Sequence, residues 1–149
     1  MTYTIAVRDE AVYGGLVVPR VTPSFKTSNS ELIEFLKDRL RDREAGELPT
    51  RERPLYTVYV PDPAGSHNAL VCCAYAAPER VPVGDLLVRV PKGVYARFEP
   101  NGDYHDPVED VWAQVDDATA SAEITRAYRE EIEVWRGPGD VELFISILV

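Results

Sequence analysis

The chain has 149 residues, 45% of them apolar and 28% charged, which suits one soluble globular domain with a core of its own. Its net charge of −9 disfavours nucleic acid as a direct partner, because phosphate backbones are bound mainly through Lys and Arg. No apolar run reaches the length of a membrane span, and MTYTIAVRDE at the start lacks the pattern of a signal peptide, so the expectation is a cytoplasmic protein with no membrane partner.

Residues 2–18 are β-rich, and Gly14-Gly15 inside them signals a bulge or a close approach of backbones. Ser28-Asn29-Ser30-Glu31 is a capping signature. Leu32, Phe35, Leu36 and Leu40 follow at helical spacing, so they predict the buried face of a helix reaching about residue 45, with its Glu, Lys, Asp and Arg residues in solvent. Residues 46–54 read as a loop. Residues 55–60 and 69–76 read as a pair of strands, with Tyr56 and Thr57 on opposite faces. Cys72 and Cys73 are neighbours on a strand and point apart, so both are expected reduced. There is no CxxC pair, and His67 and His105 are the only histidines, so neither a metal nor another cofactor is expected.

Residues 78–85 read as a linker. Residues 86–98 are β-rich again, broken at Pro91-Lys92-Gly93. Asp106-Pro107-Val108-Glu109 is a strong helix start, with Asp at the cap and Pro at the first helical position. Val108, Val111, Trp112 and Val115 form the buried face of that helix. Residues 116–131 extend it or form a second short one.

The last stretch, 129–149, predicts a hairpin closed by Arg136-Gly137-Pro138-Gly139. With that loop, Glu133 faces Glu142. One side of the hairpin then carries Ile132, Val134, Val141, Leu143, Ile145 and Ile147. The other carries Glu133, Trp135, Glu142, Phe144 and Ser146. Like charges directly opposite destabilise a sheet, so a shielded pair holds a proton, finds a base or waits for a cation. Aromatic rings beside it attract cations as well. The same spacing also fits two surface glutamates on a solvated face. Trp112 either lines such a pocket or anchors helix to sheet. Tyr56 and Tyr75 are either aromatic walls or core tyrosines.

The two halves, about 1–78 and 79–149, read alike. Val12-Tyr13 matches Val94-Tyr95, and each half runs strand region, capped helix, strand, strand. The expected fold is α+β: duplicated β-α-β-β units forming a curved, largely antiparallel sheet, with helices on one face and a central ligand cleft.

VYARFEPNGDY, the capped helix containing Trp112, EVW and DVELFISI together resemble the GyrI-like effector-binding domains, the ligand-binding half of multidrug-responsive transcription regulators. The resemblance spans nearly the whole chain, taken as a single domain over 1–149. It implies a stand-alone domain that senses or sequesters hydrophobic, cationic, drug-like molecules. Glu133 and Glu142 fall on the family's acidic positions at the base of an aromatic cleft, with Trp135 two residues after the first. Phe144 stands where the family has a tyrosine, and Ile145-Ser146-Ile147 where it often has I-P-I. The ligand-binding set is therefore Glu133, Glu142, Trp112, Trp135, Phe144, Tyr56 and Tyr75. No catalytic residue is assigned, since nothing resembles a Ser/His/Asp or Cys/His set. Two alternatives from the same family stay open: hydrolysis of a reactive small molecule through a pocket glutamate, and a protein partner such as DNA gyrase.

Overall fold

The computed structural model describes residues 3–26, 29–47 and 54–149, with backbone alone for 43–47. In chain order the elements are β1 (Tyr3–Arg8), β2 (Ala11–Val21), α1 (Ser30–Glu47), β3 (Leu55–Pro61), β4 (His67–Tyr75), β5 (Leu86–Val90), β6 (Gly93–Phe98), α2 (Pro107–Ala120), β7 (Arg126–Gly137) and β8 (Asp140–Ile147). One turn of 3-10 helix, Pro78–Arg80, sits in the stretch between the halves. The Ser28 cap and most of the 46–54 loop lie outside the described residues.

All eight strands join one antiparallel sheet in the order β1-β6-β8-β7-β3-β4-β2-β5. The order reads the same from either end when β1, β2, β3 and β4 are exchanged for β5, β6, β7 and β8. The first strand of each half is paired in the other half: β1 on β6, and β5 on β2. β1 and β2 hold the first and seventh places, yet only Asp9 and Glu10 join them. The sheet therefore curls until its ends approach, and Arg8 of β1 donates to the Tyr13 hydroxyl of β2 at 3.4 Å.

Side chains alternate across the sheet, so the curl has two apolar layers. The outer layer meets the helices and includes Val71, Phe98, Trp112, Val115, Leu143 and Ile145. The inner layer, with no helix over it, includes Tyr13, Val58, Leu70, Tyr95, Ile132, Val134 and Phe144. Gly15 faces β4 so closely that a Cβ there would lie 2.0 Å from the Val71 carbonyl oxygen. The Gly14-Gly15 pair thus marks a close approach of backbones, while the register shift in β2 falls later, between Val18 and Val21.

α2 begins as its sequence dictates: Asp106 is the cap, its carboxylate accepting from Val108 N at 2.9 Å. It ends at Ala120, and β7 starts at Arg126, so residues 116–131 are divided between a helix end and a strand. α1 is turned relative to the expected face. Leu32 and Phe35 are exposed, at 44% and 55%, while Ile33, Lys37 and Leu40 are buried. A charged residue lies on the inward stripe because a carboxylate waits for it below.

The final hairpin closes on Pro138-Gly139 alone, with Gly139 at φ +79°. Gly137 pairs with Asp140 and Trp135 with Val141, leaving Arg136 as a bulge. That extra residue shifts β7 by one against the expected register. Glu133 is paired with Leu143, and Glu142 with Val134. A one-residue slip moves every side chain to the other face. Glu133 and Trp135 therefore share the helix side with Val141, Leu143 and Ile145, while Glu142 and Phe144 share the inner side with Ile132 and Val134. The two glutamates do not face each other.

Candidate functional site

α1 leans on β4 and β2, and α2 on β8 and β6, so the central strands β3 and β7 run between the helices. A cleft of about 810 Å³ opens there. Phe25, Phe35, Val108 and Trp135 supply its apolar lining, with the Pro138-Gly139 turn at one end. Its lining carboxylates are Glu31, Glu34, Asp38 and Asp106, against Lys26, Lys37 and Arg41. A smaller recess of about 30 Å³ shares Phe25, Ser30, Glu34, Lys37 and Val108 with the cleft and reaches further in, to Tyr59 and Glu133.

Glu133 is 3% exposed and fully engaged. One carboxylate oxygen accepts from Lys37 Nζ at 2.8 Å, the other from Trp112 Nε1 at 3.3 Å. Lys37 also donates to Glu34 at 3.3 Å. Burial pulls the Lys37 ammonium towards neutrality, but Glu133 and Glu34 outweigh it, so its pKa is raised and the charge is kept. Trp112 stands edge-on to Tyr59, ring centroids 5.8 Å apart. Burial first, then the charges of Glu133, Glu131 and Glu34, push the Tyr59 phenol well above its usual range, so it stays a neutral hydroxyl. Thr57, the cross-strand partner of Glu133, is buried with a hydroxyl that makes no hydrogen bond among the described residues. Trp135 is half-buried on the cleft wall, and the Arg41 guanidinium lies 4.8 Å from its ring centroid.

Of the residues singled out in the sequence, this site gathers Glu133, Trp112 and Trp135. Glu142 lies on the opposite face, clamped between Arg97 and Arg136. Burial raises its pKa, but the two arginines outweigh that and leave it below the ordinary carboxylate value. Phe144 is also on the inner side, 6.3 Å from Tyr95 and with the Arg8 guanidinium 4.4 Å from its ring centroid. Tyr56 packs edge-on to Tyr13 there, at 5.1 Å. Tyr75 packs against the helix-side layer, away from the residues that line the cleft.

Sequence reasoning missed Lys37, Tyr59, Phe25 and Phe35. The signal for Lys37 was its place between Ile33 and Leu40 on one helical stripe; its charge sent it to the solvated face instead. Among the described residues no group of three His, Cys, Asp or Glu side chains is placed to hold a metal ion. No helix there is long and apolar enough to cross a membrane.

Comparison with known proteins returned a family model, described as integron-associated effector binding protein, that matches residues 15–147. No curated protein sequence matches significantly. Among solved structures, an integron cassette protein from the mobile metagenome of Vibrio cholerae superposes with a TM-score of 0.77 at 22% identity, covering 99% of this chain and 96% of that one. SAV2435, solved bound to tetraphenylphosphonium, gives 0.74 at 10% identity, over 99% and 94% of the two chains. A putative bacterial transcription regulation protein from Staphylococcus aureus MU50 gives 0.67 at 12% identity, over 100% and 99%. The GyrI-like resemblance and the α+β fold with a curved antiparallel sheet both hold. The chain belongs to the family of integron-associated effector-binding proteins.

Proposed function

We propose that the cleft between α1 and α2 binds a hydrophobic, positively charged small molecule, with Glu133 as the base carboxylate and Trp135, Phe25 and Phe35 as the apolar walls. The observation that carries this reading is a buried glutamate beneath a cleft of about 810 Å³ walled by aromatic rings. A cleft of that size is in the range of small-molecule sites. Rings supply apolar area and attract a cation through their faces, while a carboxylate out of water compensates the charge far better than one in water. The ligand-bound relative is consistent with it, since tetraphenylphosphonium is a lipophilic cation. Glu142, Phe144 and Tyr56 have no part in this site, being on the inner face with partners of their own.

The test is a thermal shift on wild type and Glu133→Gln with tetraphenylphosphonium and, as the neutral control, triphenylphosphine oxide. A ligand that binds only the folded state raises Tm by mass action. The expected result is a concentration-dependent rise for wild type with the phosphonium, cut by more than half in the variant, while any response to the neutral compound is the same in both. A wild type that the phosphonium does not shift, or a variant that it shifts equally, removes the reading.

A further inference from the structure

The base carboxylate does not meet the cleft directly. Lys37 lines both the cleft and the recess behind it, whereas Glu133 lines the recess alone. The ammonium therefore stands between the open volume and the buried Glu133 carboxylate at its base. It is held on both sides: 2.8 Å from Glu133, whose side chain is 3% exposed, and 3.3 Å from Glu34, whose side chain is 64% exposed. The same helix places Arg41 over Trp135 one turn further on. The chain's own cations thus occupy both the base and one wall of the site proposed for a ligand cation.

We infer that Lys37 is the resident occupant of the cation position, and that the site works by exchange. A ligand's positive charge takes the place of the ammonium at Glu133, and Lys37 swings outward along the cleft to Glu34, which it already touches. No bond is made or broken and no proton moves; one cation replaces another. This rests on the reading of the cleft as a cation site and adds to it the residue that sets its selectivity. Two ions taken from water are costly unless paired, so the pair screens the site. A neutral molecule of the same shape gains nothing at Glu133 because the ammonium stays. A cation gains Glu133 only if it compensates it better than Lys37 does. The exchange also couples occupancy to α1, because the moving group is anchored at the middle of that helix.

Two measurements separate the possibilities. The first uses the unaltered protein and lysine acetylation read by mass spectrometry. The chain has three lysines; exposed Lys92, which is not among the residues lining the cleft, is the control, while exposed Lys26 lines the cleft and is read separately. Lys37, 5% exposed, is expected to be protected in the free protein and to become reactive when tetraphenylphosphonium is saturating. Continued protection of Lys37 with ligand bound overturns the exchange.

The second is calorimetric titration of Lys37→Met, which keeps the apolar stem, and of Lys37→Met/Glu133→Gln, which removes both charges. Lys37→Met is expected to bind the phosphonium about tenfold more tightly than wild type, with triphenylphosphine oxide unchanged and the gain lost in the double variant. Equal or weaker binding by Lys37→Met, with wild type still binding and Glu133→Gln still impaired, leaves the cation site standing and makes Lys37 a fixed structural partner. If wild type and every variant fail to bind the phosphonium, the cation site itself falls, and the exchange with it.

Discussion

Four of the seven side chains read from the sequence as ligand-binding are met by a cation of the chain: Glu133 by Lys37, Trp135 by Arg41, Glu142 by Arg97 and Arg136, Phe144 by Arg8. A buried carboxylate is costly without compensation, so the fold supplies it. Glu142 shows the consequence most directly. Its pKa is lowered in the folded state, so the unfolded chain binds the proton more readily. The stabilisation is then fully present above the unfolded value and is lost as pH falls through the folded one. Glu142→Gln is expected to lower Tm at pH 7, and the gap from wild type is expected to close below about pH 4. A gap independent of pH between 3 and 7 would show that packing, not charge, is what the substitution removes. Glu131 has the opposite sign. Burial raises its pKa against the pull of Arg126, so its contribution weakens as pH rises through the raised value.

Among the elements, α2 was legible and α1 only in part. Asp106-Pro107-Val108-Glu109 is a self-contained local signal, since the cap bonds are made within the first turn. The face of α1 was not, because Lys37 reads as solvated unless Glu133, 96 residues away, is known to lie beneath it. The hairpin faces failed for a local reason with a large effect: the Arg136 bulge adds one residue to β7 and reverses which side of the sheet Glu133 occupies relative to Glu142. Strand β2 carries a constraint that sequence marked as a bulge or a close approach. Gly15 is pressed against β4 backbone, with Val71 O 2.0 Å and Cys72 Cα 2.7 Å from where a Cβ would stand. Backbone cannot step aside as a side chain can, so Gly15→Ala is expected to cost at least about 1–3 kcal/mol in urea unfolding. Gly93→Ala, whose Cβ would first meet the Tyr95 ring at 3.4 Å, is expected to stay within roughly 0.5 kcal/mol of wild type. Equal effects at the two positions would refute the close-approach argument.

At the scale of the whole molecule, the exchange of first strands ties the halves together. β1 has its pairing on β6 and β5 on β2, so each half alone keeps only three paired strands and leaves its first strand without its partner. We expect wild type to unfold in one urea transition. Residues 1–78, expressed alone, are expected to show no cooperative transition by circular dichroism, and to recover one when mixed with residues 79–149. A cooperative transition from residues 1–78 alone would mean that the halves are independent units.

The amino-acid sequence by itself determined the element order, the two helix-and-hairpin halves and the cap of α2, and it marked Gly14-Gly15 as a bulge or a close approach. All of these rest on contacts within a few residues or on turn and spacing signals. Only the tertiary structure decided that Gly15 is a close approach, that Glu133 lies beneath a cleft while Glu142 lies on the far face, that Lys37 is buried, and that Tyr59 lines the recess behind the cleft. Those outcomes depend on a one-residue bulge and on pairings between residues far apart in the chain. Register and long-range charge pairing are set by the energy of the assembled sheet, and no local stretch of the chain carries that information.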